Sequence, residues 1–174
     1  MAAIRLRELQ KKDAPYMLEW MRDPSIACFF RFDAQDMTED SCRQFIQDSC
    51  KSASCRHYAI ADDSDEYLGT VSLKNINYET GEAEYAISTR KKAHGTGAAL
   101  EATRRIWEIA FRELNLERIY LNVLDENQRA NAFYQKVGYC FKYSEENTVE
   151  IRGEKKALNW YEIDRKHFME IENG

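Results

Sequence analysis

The stretch Lys91-Lys92-Ala93-His94-Gly95-Thr96-Gly97-Ala98-Ala99 joins an alternating apolar segment to a long amphipathic one, and its reading decides the fold. Two glycines spaced by one residue allow a tight turn and leave backbone amides uncovered. A helix starting at Gly97 adds unpaired N–H groups and the positive end of its dipole. Together they make a seat for a pyrophosphate. Lys91, Lys92 and His94 stand at its rim as further cations or donors. A Gly-x-Gly turn alone also fits a plain strand-to-helix connection, so the flanking chain has to decide.

Upstream, Ala83-Glu84-Tyr85-Ala86-Ile87-Ser88 alternates as a strand running into the turn. Before it, Tyr58-Ala59-Ile60-Ala61 and residues 66–75 read as a hairpin around Asp62-Asp63-Ser64-Asp65. The three strands form an antiparallel meander. Nearer the N-terminus, residues 3–8 read as a strand. A helix follows from an N-cap at Asp13 and stops before Pro24, and Thr38 caps a second helix over 39–51. Between these helices, Phe29, Phe30 and Phe32 are either core or the lining of a pocket.

Downstream, Ala99, Ala102, Ile106 and Ala110 place an apolar stripe along a helix over 97–113. Residues 119–124 read as a central strand, 127–136 as a short helix ended by Gly138, and 139–144 and 157–164 as two closing strands. The polar residues 145–156 connect them. The predicted order is βααβββαβαββ. This is an α/β (α+β) fold, a mixed and mostly antiparallel sheet of about seven strands with about four helices.

Bulk properties narrow the class. A length of 174 residues, with two prolines and no repeat, reads as one domain over 1–174. The chain is 44% hydrophobic and 32% charged, with a net charge of −5, which suits a globular protein and argues against a nucleic-acid surface. No apolar run reaches signal-peptide or membrane-spanning length, so the reading is cytoplasmic with no membrane partner. Five cysteines without a CxxC pair, and three scattered histidines, point to reduced thiols and no metal.

The second informative stretch is Asn127-Gln128-Arg129-Ala130-Asn131-Ala132-Phe133-Tyr134-Gln135-Lys136-Val137-Gly138-Tyr139. Lys92-x-x-Gly95-x-Gly97 followed by Asn127, Ala130, Tyr134, Gly138 and Tyr139 resembles the GNAT superfamily of acyl-CoA-dependent N-acyltransferases, and the element order agrees over nearly the whole chain. The one departure is Lys92, where the family usually has Arg or Gln. Lysine supplies a point charge without a planar fork of donors.

The resemblance implies acetyl-CoA as acyl donor, no metal, and direct attack of an amine on the thioester. Its cofactor contacts would fall on Ile87, Ser88 and Thr89 of the splayed strand, on Lys92, His94, Gly95, Thr96, Gly97 and Ala98 of the loop, and on Asn127, Asn131 and Tyr134. Tyr134 matches the tyrosine that protonates the departing thiolate. Glu84 fits an acidic position that handles the amine proton. Glu82 shares its face of the strand, and His57 and His94 are alternatives.

The expected acceptor is a small-molecule amine. The segment 20–51 and residues 69–77 resemble the branch containing ribosomal-protein N-terminal, polyamine and amino-sugar acetyltransferases. The first expectation is an amino-sugar nucleotide, with Phe29, Phe30, Phe32 and Glu84 facing it. A polyamine or a protein N-terminus is the alternative, with Asp33, Asp36, Glu39 and Asp40 as acids for a polyamine. An acyl-CoA-binding module without turnover is the reading from another class, and an intact Tyr134 speaks against it. Trp160 and Tyr161, on an exposed closing edge, would serve a homodimer.

Overall fold

The computed structural model describes residues 3–30 and 34–174. Seven strands form one sheet in the order β1-β2-β3-β4-β5-β7-β6: β1 (Ile4–Glu8), β2 (Arg56–Asp62), β3 (Tyr67–Asn77), β4 (Glu82–Thr89), β5 (Arg118–Leu124), β6 (Cys140–Ile151) and β7 (Glu154–Asp164). All neighbours run antiparallel except β4 and β5, which are parallel. The meander of three strands into the glycine loop is as the sequence predicts.

The sheet is covered unequally. The helix α4 (Ala98–Glu108), extended by a π turn over Ile109–Glu113, packs on one face through Ala98, Ala102, Ile106 and Trp107. Ala98 and Ala102 are fully buried, and their small size lets the helix lie close on β1 and β3. Ala98 takes the core position that periodicity assigns to Ala99. Each fully buried large apolar side chain such as Ile106 or Leu121 contributes about 1.5–3 kcal/mol. The helices α1 (Ala14–Arg22) and α3 (Glu39–Ser49) pack together into a second apolar cluster, against β3. Because both faces are covered there, Tyr67 to Leu73 are buried without alternation.

Two helices add to the four read from sequence, α2 (Pro24–Ala27) and α6 (Arg165–Asn173), with α5 (Gln128–Val137) between them in chain order. The polar stretch 145–156 is also different. It belongs to the long β6–β7 ribbon, which turns at Arg152 and Gly153, both with positive φ. Most of β6 is solvated, so no apolar alternation marks it as a strand. The closing edge of the sheet is therefore β6. Trp160 and Tyr161 lie on β7, one strand inside it, and Tyr161 is buried in the core.

Strands β4 and β5 pair at only three positions, Glu82 with Arg118, Ala83 with Ile119 and Glu84 with Tyr120. Beyond these, β4 stays with β3 as far as Thr89, and β5 stays with β7 as far as Leu124. A wedge opens between them. The β3 side of the wedge depends on Gly69, where a Cβ would sit 2.5 Å from the carbonyl oxygen of Ser88 and 2.9 Å from Cα of Thr89. Gly69→Ala should push out the end of β4, destabilise the protein by about 1–3 kcal/mol in urea unfolding, and weaken binding at the wedge. A variant of unchanged stability and affinity would contradict this account.

Candidate active site

A cleft of about 810 Å³ lies at the wedge. Its walls are Ile87, Ser88 and Thr89 of β4, the loop from Ala93 to Gly97 with the first turn of α4, Val123 of β5, and one side of α5. Strand residues direct their amide and carbonyl to the same side and alternate along the chain. Part of the β4 backbone beyond Glu84 therefore faces the cleft with no partner strand.

Gly95 and Gly97 hold φ of 78° and 86°, a left-handed conformation that glycine adopts without strain. The amides of Gly95, Gly97, Ala99 and Leu100 meet no acceptor among the described residues. Thr96 is turned inward, its hydroxyl donating to the Ala93 carbonyl at 2.6 Å and accepting from the Ala98 amide at 3.2 Å. Thr96 and the buried Ala98 thus build the cradle without lining it. Lys92 departs from expectation. Its ammonium pairs with Glu66 at 2.6 Å, away from the cleft, and with Arg90 holds that carboxyl below its usual range.

His94 lines the cleft, and its Nδ1 lies 2.8 Å from an Arg129 guanidinium nitrogen. Arginine only donates, so Nδ1 must be the acceptor and the imidazole neutral, with its proton on Nε2. Burial and the Arg129 charge lower the His94 pKa accordingly.

Helix α5 supplies the back wall. Asn127 caps it, Oδ1 accepting from the Ala130 amide at 3.2 Å, while the residue also lines the cleft. Asn131 is a correction. Its amide donates to the carbonyls of Leu124 at 3.0 Å and Asn127 at 2.8 Å, and its oxygen accepts from Asn159 at 2.9 Å and Tyr161 at 2.7 Å. That network ties α5 to β5 and β7, and Asn131 does not line the cleft.

Tyr134 is 8% exposed and lines the cleft, its ring packed edge-on against Tyr85 at 5.9 Å and tilted against Tyr161 at 6.0 Å. No protein group among the described residues engages its hydroxyl. Burial pushes its pKa well above the ordinary phenol value, so the hydroxyl keeps its proton.

Glu84 sits at the last paired position before the strands part, on the sheet face opposite Tyr85. Its carboxylate lies 3.4 Å from Lys74 Nζ and accepts from Asn75 at 3.2 Å. His57 lies elsewhere, on β2, with Nδ1 2.6 Å from the Ser72 hydroxyl and its ring against Phe45. Phe29 and Phe30 both line the cleft, Phe30 edge-on to Trp20 at 5.7 Å. Phe32 and Asp33 fall outside the described residues. Glu39 and Asp40 pair with Arg43 on α3, and neither they nor Asp36 line the cleft.

Residues 3–140 match the family described as acetyltransferase (GNAT) domain. The chain belongs to the GNAT acetyltransferase family. It is 27% identical over 139 residues to a spermidine N(1)-acetyltransferase of Vibrio cholerae serotype O1, covering 78% of each chain. To the Escherichia coli K12 protein of the same description it is 27% identical over 140 residues, covering 79% of this chain and 73% of that one. The fold superposes on a Vibrio cholerae spermidine N-acetyltransferase solved in complex with CoA and spermine, with a TM-score of 0.85, 22% identity, and coverage of 95% and 98%. Acetyl-CoA is the acyl donor of this GNAT enzyme. The cleft fits it, offering free amides for phosphate oxygens, an unpaired strand edge for an amide-bearing arm, and apolar walls between them.

Leu100, Arg129 and Phe133 also line this cleft without a sequence-based role, as does Ala99, which periodicity assigns to the core. Arg129, Phe133 and Lys136 recur at helical spacing within the second motif, which was the available signal. Asn131→Ala should cost about 2–3 kcal/mol in urea unfolding by stranding buried groups, while the folded variant keeps its CoA affinity. A large affinity loss at unchanged stability would return Asn131 to the cofactor.

Proposed function

We propose that the enzyme acetylates an aliphatic polyamine, by direct transfer from acetyl-CoA to a primary amine. Kinship with two spermidine acetyltransferases across more than three quarters of the chain carries this reading, and it displaces the amino-sugar nucleotide expected first. The open sheet face beside the wedge is compatible. It bears Glu82, Glu84 and Glu162 together with the rings of Tyr120, Trp160 and Tyr143, and the indole N–H of Trp160 is buried without a partner among the described residues. Carboxylates and aromatic faces suit an ammonium-bearing chain. The carboxylates are engaged at present, Glu82 and Glu162 by Arg118 and Glu84 by Lys74. The Lys74 pair is long and partly exposed, so exchanging its ammonium for a substrate ammonium costs little.

In this reading the two reactants meet through the gap between β4 and β5. The donor lies on the Tyr134 side and the amine approaches from the Glu84 side. Alkyl amines are protonated at neutral pH and must lose a proton to attack. Glu84, directly or through water, accepts that proton. The N–C bond forms and the C–S bond breaks, the Tyr134 hydroxyl donates its proton to the departing sulfur, and the second proton shed by the nitrogen returns to the Tyr134 oxygen through water.

Thiol release from acetyl-CoA, with spermidine, spermine, an amino-sugar nucleotide and short peptides as acceptors, tests the acceptor class. Turnover should appear with the polyamines, and turnover confined to the sugar or the peptides would overturn the proposal. Tyr134→Phe should lower kcat by about 100-fold or more with CoA affinity nearly unchanged. Because burial raises the Tyr134 pKa, wild-type kcat should not fall on the alkaline side below about pH 10. A loss centred near pH 8 would remove the tyrosine as the acid. Glu84→Gln should shift the acidic limb of the kcat/KM profile, and an unaltered limb would remove Glu84 as the base.

A further inference from the structure

The cations and the free amides of the cleft are carried by different elements. On the loop and α4 side, the amides of Gly95, Gly97, Ala99 and Leu100 are open, while Lys92 is held away by Glu66. On the facing wall, α5 presents Arg129 and Lys136, two turns apart and so on one side of the helix. Arg129 reaches across the mouth to His94 through one terminal nitrogen, which leaves its other N–H groups as donors. Among the described residues no carboxylate pairs with it. The Glu126 carboxylate, at the start of the same segment, is taken by Lys156 at 2.9 Å. Asp23 accepts from the amide and hydroxyl of Ser25.

The cleft therefore offers anions two kinds of donor, backbone amides of the loop and side-chain cations of α5. Acetyl-CoA carries two anionic centres at its nucleotide end, a 5′-diphosphate and a 3′-phosphate. We propose that Arg129, held across the mouth by His94 and supported by Lys136, reads the 3′-phosphate of the donor, while the loop amides take the diphosphate. A forked guanidinium suits a terminal phosphate, which offers three oxygens, and His94 fixes the fork in place at the cost of one donor. The pair would make the enzyme selective for 3′-phosphorylated donors. This inference rests on acetyl-CoA as donor and is independent of the acceptor.

Calorimetric titration of the intact protein with CoA and with 3′-dephospho-CoA tests it without turnover. Wild type should bind CoA more tightly. Arg129→Ala should lose about tenfold in affinity for CoA, as expected for one exposed charge-assisted contact, and less than about twofold for dephospho-CoA. His94→Ala should lower the ratio of the two affinities in the same direction, because Arg129 is then free to swing into solvent. Equal losses for both ligands in Arg129→Ala would place the contact on the diphosphate and overturn the proposal, as would no loss for either. An unchanged ratio in His94→Ala would overturn the role given to the histidine. Unfolding curves of the free variants separate these outcomes from a damaged fold.

Discussion

Everything at the active site depends on two parallel strands that stop pairing. β4 and β5 share three positions and then follow different partners, one towards β3 and the other towards β7. Unpaired backbone groups in a protein interior are costly, so such an opening persists only where solvent or a ligand satisfies them. Here it is the mouth of a large cleft, and the amide-rich arm of acetyl-CoA is suited to complete the strand edge. In the proposed reaction this opening is where donor and acceptor meet.

Around that opening, the fold separates rigid from accessible groups. Tyr134 is clamped among Tyr85, Tyr139 and Tyr161, and these rings are in turn anchored by Thr103, Trp107 and Asn131. Its ring has little freedom, and its hydroxyl is left for the cleft. Arg90, buried just before the glycine loop, bonds Glu19, Glu66 and the Tyr67 carbonyl, which fixes the start of the loop to α1 and β3. The loop amides stay uncommitted because the side chains around them, Thr96 and Lys92, are bonded elsewhere.

The sequence was legible where function rests on backbone conformation or on a motif carried by one element. Gly95 and Gly97 have the positive φ that their spacing before a helix implies, and Tyr134 faces the cleft as its motif implies. Neither Asn131 nor Lys92 lines the cleft, and for a common reason. Each is a polar residue in the right stretch, and its partners, Asn159 and Tyr161 for one and Glu66 for the other, are distant in the chain. The strand β6 was cut short because a largely solvated ribbon has no buried face to impose alternation.

By itself the sequence determined the order of the seven strands and four of the helices, the tight turn at Gly95 and Gly97, and the place of Tyr134 on a short helix after β5. These follow from local backbone preference, from periodicity and from contiguous motifs, all of which are short-range. Only the tertiary structure decided where β4 and β5 part, which side chains are spent on the fold and which remain for ligands. It also brought Arg129 of α5 to His94 of the loop, 35 residues apart in sequence and 2.8 Å apart in space. Such pairings are set by how helices dock on the sheet, and no local pattern encodes them.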